Sequence, residues 1–159
     1  MSESKSPVER LRATWQSLSA KPGGKWLFSR LFARFIPYSG TVTPEVLELA
    51  PGRAVIAIED RRAVRNHLDC VHAVALANLG EMSTGLALGF GMPKESRSIL
   101  VRLSCEYLKK ARGRLVATCD APAVASSETR DYEVTSLIRD GKNDVVAKTV
   151  AVWKVGPGR

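Results

Sequence analysis

Apolar and polar positions alternate with period two over most of the chain beyond residue 39, and one long segment, 72–88, breaks the alternation by being apolar nearly all round. Successive side chains of a strand point to opposite faces, so the alternation predicts strands over 41–49, 53–59, 98–107, 114–120, 128–139 and 144–155. Pro51-Gly52, Arg112-Gly113, Pro122 and Asp140-Gly141 separate them, the last being a hairpin signal. Pro44 cannot donate to a ladder, which marks the first strand as an edge. In the breaking segment Val74, Ala75, Leu76, Leu79, Met82, Leu86 and Leu88 leave no broad polar face, the pattern of a buried helix.

Two further helices are expected before the strands. The first, 8–19, has Ser6 as cap, Pro7 in the first turn and an early Glu9. Residues 1–7 are polar and expected to be disordered, and Lys21-Pro22-Gly23-Gly24 breaks the chain. The second helix, 25–35, carries Trp26, Leu27, Leu31 and Phe35 at helical spacing, with Arg30 and Arg34 read as opposite. That arrangement fits a helix packed over the domain with its arginines in water. A basic amphipathic helix lying on a membrane is the sharper alternative, and packing is the favoured reading.

The order is two strands, one long helix, then four strands. One helix cannot cover both faces of a parallel sheet, whereas an antiparallel six-stranded sheet curled round it buries the helix completely. The expected class is therefore α+β with the layout of a hotdog fold: a helical lead-in at 1–37 and the domain proper at 38–159.

Composition changes this picture little. In 159 residues, 45% are hydrophobic and 25% charged, as in an ordinary soluble domain. The net charge of +8 favours anionic partners. Yet no run of five Lys/Arg occurs, and the aromatics do not interleave with basic residues, so nucleic acid is not expected. Cys70, Cys105 and Cys119 form no CxxC pair, which argues against a disulfide framework or zinc site, and His67 and His72 are the only histidines, so no metal is expected. A reducing cytoplasm is the default for such a chain. The apolar stretch 71–90 has the length of a membrane span, but it holds His72, Asn78, Glu81 and several glycines; a core helix without stable membrane insertion is expected. Small α+β folds often gain burial by dimerising, so a homodimer, or a dimer of dimers, is anticipated.

The chemistry concentrates between Asn66 and Leu88. Asn78, Glu81 and Thr84, spaced by three, form a polar stripe on the apolar helix. An ionised Glu81 there needs a partner from elsewhere or a cleft; pattern alone leaves a general base and a structural acid evenly balanced. Asn66 and His72 arrive just before the helix start, where free N–H groups could polarise a carbonyl. His72 by itself reads as a cap or a satisfied core histidine. No G-x-S-x-G is present, and Cys70 beside His72 makes a weak nucleophile pair.

Asn66-His67, His72-Ala73 and Glu81 eight residues beyond Ala73 resemble the signature of hotdog-fold acyl-CoA thioesterases. The likeness is to the paaI-like group and its DUF4442 branch, where N-H-x-x-x-x-H-A-x-A-L-x-x-L-x-E recurs. It spans about 39–155. The resemblance implies that Glu81 acts as base or nucleophile toward the thioester, that the Ala73 N–H polarises the carbonyl, and that Asn66 assists. Thr84 or Gly85 would stand where the family holds a water with a hydroxyl, beside Asn78. The basic turn Lys109-Lys110-Ala111-Arg112-Gly113-Arg114, with Arg62 or Arg65, would meet the phosphates of coenzyme A, which enters only as part of the substrate; a solvated hairpin explains those charges equally well. One position departs: His-Gly-Gly of the paaI-like enzymes is His72-Ala73-Val74 here, and Val74 adds bulk where backbone and thioester approach. The function implied is hydrolysis of a fatty or aryl acyl-CoA at sites shared between two subunits, with a non-catalytic acyl-CoA or lipid-binding module as the alternative.

Overall fold

The computed structural model describes residues 6–158; of the expected disorder over 1–7, residues 1–5 lie outside them, and Ser6 and Pro7 are instead the N-cap and first residue of a helix. Helices α1 (Pro7–Leu18), α2 (Gly24–Phe35) and the single turn α3 (Pro37–Gly40) lead into strands β1 (Glu45–Ala50) and β2 (Arg53–Ile58). A 3₁₀ turn (Arg62–Val64) and a loop precede α4 (Ala73–Gly91), after which come β3 (Ser96–Tyr107), β4 (Leu115–Asp120), β5 (Arg130–Arg139) and β6 (Val145–Pro157). All pairings are antiparallel, in the order β1-β2-β4-β5-β6-β3. The sheet curls round α4, which touches all six strands. This is the hotdog arrangement.

Burial explains the curl. Along α4, Leu79, Ala87 and Leu88 are essentially inaccessible, and they meet inward residues Ile56, Ile58, Leu115, Ile138 and Val155 from four strands. The helix has the length and hydropathy of a membrane span, but 72% of that window is buried inside the fold. Gly85 allows a close contact with β6: a Cβ there would stand 2.9 Å from the Trp153 ring. The helix runs three residues past the expected end, and His72 is its N-cap.

Two expectations are corrected. The first strand does not span 41–49. It begins at Glu45, because Pro37 starts a helical turn, Thr43 takes a left-handed φ of 52° and Pro44 has no N–H to offer. The second correction concerns α2. Phe28, Ser29 and Phe32 face inward, while Trp26, Leu27, Leu31 and Phe35 are exposed. Two contacts set this rotation. The Val46 N–H on the edge strand β1 donates to Ser29 Oγ at 2.8 Å, satisfying a group an apolar side chain would leave bare. Phe28 packs edge-on against Trp15, centroids 4.9 Å apart, and stacks with Phe32.

Helix α1 begins with the capping box Ser6–Glu9 and is tied down by two long-range hydrogen bonds. Trp15 Nε1–H donates to Leu49 O at 3.0 Å, and the Arg12 guanidinium donates to Gly89 O and Met92 O at the C-terminal end of α4, whose last carbonyls lack intrahelical α-type partners. The N-terminal helices thus hold both β1 and the far end of α4.

Candidate functional site

The loop before α4 is built to present its own backbone. Asn66 Oδ1 accepts from the N–H of Leu68 (2.9 Å) and Cys70 (3.4 Å) and from Cys70 Sγ–H (3.4 Å), an Asx-type turn that leaves the amide Nδ2 without an acceptor among the described residues. Arg65 braces the loop through Asp60 Oδ1 (2.6 Å) and Asp69 Oδ1 (2.9 Å). Arg112 adds bonds to Asp69 O and Leu68 O. The Gly113 N–H donates to Asp60 Oδ2 at 2.9 Å, and Arg65 is the main reason the Asp60 carboxyl is held below the usual carboxylate range. Arg65 and Arg112, both expected at phosphates, are therefore already committed to the loop, and Lys109 is committed to Asp140 and Asp144 on the β5–β6 hairpin.

At the helix start the His72 N–H donates to Val64 O and His72 Nδ1 accepts the Val74 N–H at 3.0 Å. Of the readings open for this residue, the exposed cap is the observed one. The Ala73 N–H, the first of the helix, has no acceptor among the described residues. Tyr107 Oη–H, from the end of β3, donates to Ala73 O at 3.1 Å and fixes the strand against that turn. The sequence reading missed Tyr107, because a tyrosine at the end of an alternating strand is indistinguishable from an ordinary packing residue.

The candidate residues separate into three places. A groove of about 340 Å³ gathers Asn66, Ala73, Tyr107, Lys109 and Lys110. On the other side of the helix start a crevice of about 180 Å³ gathers Arg65, His72, Val74 and Asn78, so the bulk of Val74 lies away from the Asn66 groove. Asn78 is buried and its Nδ2 reaches Tyr38 O at 3.5 Å. Further along, the partly open stripe of α4 is Ala77, Glu81 and Gly85. Thr84 is not on that stripe: it is fully buried, its hydroxyl donates to Glu81 O and accepts from Trp153 Nε1–H. Holding substrate or water is not open to it.

Glu81 stands between two small residues, half-buried, and no donor holds its carboxylate among the described residues. Burial pushes the carboxyl above the ordinary glutamate range, with no opposing charge to bring it back. A carboxylate raised in this way is a stronger base than an exposed glutamate. Neither Cys70 nor Cys119 competes for the role: Cys70 is buried against Asn66, and burial pushes the Cys119 thiol up to about 12, where the thiolate is absent.

The sequence profile of the DUF4442 family, a domain of unknown function, matches residues 24–155. Among solved structures, a structural-genomics protein is 27% identical with a TM-score of 0.81, over 93% of this chain and 98% of that one. A thioesterase family protein from Silicibacter pomeroyi is 19% identical with a TM-score of 0.70, over 82% and 96% of the two chains. A thioesterase from Staphylococcus aureus is 16% identical with a TM-score of 0.68, over 76% and 99%. These last two share the fold with this chain. Among curated proteins no sequence match is found.

Proposed function

We propose that this chain, which belongs to the DUF4442 family over residues 24–155, hydrolyses an acyl-CoA thioester with Glu81 as the base. The observation that carries the reading is a half-buried carboxylate without a donor among the described residues, its pKa raised by burial, on a helix whose first N–H has no acceptor among them. The solved relatives described as thioesterases support it. So does one interval: the Staphylococcus aureus protein was crystallised as a glutamine-to-alanine and as a glutamate-to-alanine variant fifteen positions apart, the separation of Asn66 and Glu81.

In this reading the Ala73 N–H polarises the thioester carbonyl and Asn66 Nδ2 orients the attacking water. Glu81 removes the water proton as the C–O bond forms. When the C–S bond breaks, the same carboxyl returns the proton to the departing thiolate, giving a free acid and coenzyme A thiol.

One chain cannot assemble these groups. Eight residues of helix separate Ala73 from Glu81 by about 12 Å along the axis and roughly 80° around it, too far for one carbonyl to meet both. A second copy, its α4 antiparallel to the first, brings its own helix start to Glu81. Strand β3 supports such a pairing: its outer edge is twelve residues long and unpaired, whereas the other edge, β1, is six residues long and covered by α2. A long bare edge is a template for a second strand. The proposal is thus a homodimer with two shared sites.

The test is thiol release from a panel of fatty and aryl acyl-CoA esters by wild type and Glu81→Gln. A loss of about a hundredfold or more in kcat is expected with the fold intact. Full hydrolysis by the variant removes Glu81 from the reaction, and acyl-CoA binding without turnover in the wild type establishes a binding module instead.

A further inference from the structure

The rotation of α2 leaves a surface that the site does not use. Trp26 is 61% exposed and Phe35 53%, and Leu27, Leu31, Ile36 and Tyr38 are also large apolar side chains in water. Arg30 and Arg34, one turn apart, form the ridge between Trp26 and the leucines, with Arg30 stacked over the Trp26 ring at 5.5 Å. Between α1 and α2 runs a groove of about 500 Å³ with Leu31, Phe32, Arg34 and Phe35 among its walls. The charge is one-sided. Residues 10–44 contain six Lys/Arg and no Asp or Glu, so three quarters of the net charge of +8 comes from this segment. Glu45 and Glu59, which line a crevice with Trp26 and Arg30, are paired with Arg114.

We infer that the outer face of α2 and the adjoining turn α3, from Trp26 to Tyr38, docks on the surface of a bilayer containing anionic phospholipid. The arginines meet lipid phosphates, while Trp26, Leu27, Leu31 and Phe35 settle among the headgroups and upper acyl chains. A second copy of the chain fits this face poorly, because a two-fold contact would set Arg30 and Arg34 against their own equivalents. Nucleic acid would use the arginines but leave the leucines and Phe35 in water. The inference does not depend on the reaction carried out at Glu81.

The test is flotation of the full-length protein with vesicles of phosphatidylcholine, with and without phosphatidylglycerol. The wild type is expected to float with the anionic vesicles, less so as salt rises, and to stay behind with neutral ones; Trp26 emission shifts to the blue on binding, a shift absent from Trp26→Phe. Arg30→Glu with Arg34→Glu lowers the bound fraction about tenfold or more, and Leu31→Ser with Phe35→Ser also releases the protein. All four positions are exposed, so the far-ultraviolet circular dichroism stays that of the wild type. Lys142→Glu, on the distant β5–β6 hairpin, keeps binding. The inference is overturned if no anionic vesicle is bound, or if Lys142→Glu is as damaging as the arginine changes. It is equally overturned if the apolar changes leave binding intact while an oligonucleotide competes, or if they break a larger assembly in sedimentation.

Discussion

The side chain of Thr149 on β6 occupies the space into which a Cβ on Gly80 of α4 would project, with Thr149 Cβ at 2.6 Å and Cγ2 at 2.8 Å from that point. Helix and sheet meet here with no room for a methyl group, and Glu81 is the next residue, turned about 100° toward the open stripe. The depth at which α4 sits, and therefore the half-burial of Glu81, is set by this contact. Gly80→Ala gains about 1 kcal/mol of helix propensity but overpacks the contact at a cost of about 1–3 kcal/mol. A net loss of stability is expected, read as a fall in Tm of several degrees, together with reduced activity as Glu81 moves outward. Thr149→Ala in the same chain removes the Oγ1 and Cγ2 contacts and should restore part of both. If Gly80→Ala melts above the wild type, the close approach does not govern the helix depth.

A carboxyl whose pKa is raised on folding holds its proton more tightly in the native state than in the unfolded chain. Stability is then lost as pH rises from the ordinary glutamate range through the folded pKa of Glu81, and is flat above it. Glu81→Gln carries no ionisable group, so it should melt above the wild type at neutral pH, with the difference closing as pH falls into the range where both states of the wild type are protonated. Thermal melts at several pH values check this. A constant difference at all pH would show that burial does not perturb this carboxyl.

Asp60 behaves with the opposite sign. Its nearly buried side chain receives Arg65 on one oxygen and the Gly113 N–H on the other, and its folded pKa is depressed. The stability it contributes is present above the ordinary aspartate range and disappears as pH falls through the folded value. Asp60→Asn should cost about 1–2 kcal/mol near neutral pH and little in strong acid, measured by denaturant unfolding. Because Asp60 anchors the loop that carries Asn66, the variant should also raise KM more than it lowers kcat.

Much of this architecture is legible in the residues themselves. The all-round apolar character of α4 and the period-two segments on either side dictate a sheet wrapped on a helix, and the observed strands differ from the expected ones mainly at their ends. Glu81 stands out because it is the one acid on an otherwise apolar helix. What is not legible depends on contacts between elements distant in sequence. The orientation of α2 is decided by Ser29 accepting from Val46, and spacing alone offers two apolar faces, Phe28/Phe32 and Trp26/Leu31. The use of Thr84 is decided by Trp153, 69 residues away. Arg65, Arg112 and Lys109 read as exposed cations free for a ligand, but each is held by carboxylates or carbonyls of neighbouring loops.

The separation of Ala73 and Asn66 from Glu81 makes the shared site testable by mixing. Asn66→Ala and Glu81→Gln should each be inactive alone. Mixed, unfolded and refolded together in equal amounts, about half of the dimers contain one subunit of each kind. If a site takes Glu81 from one subunit and Asn66 from its partner, one of the two sites in every mixed dimer carries both substitutions and the other carries none. Thiol release should then return to about a quarter of the wild-type rate. If both groups act within one chain, every site in the mixture keeps one defect and no activity returns. Because the mixed sample contains the same two proteins as the inactive controls, recovery can arise only from the exchange of subunits.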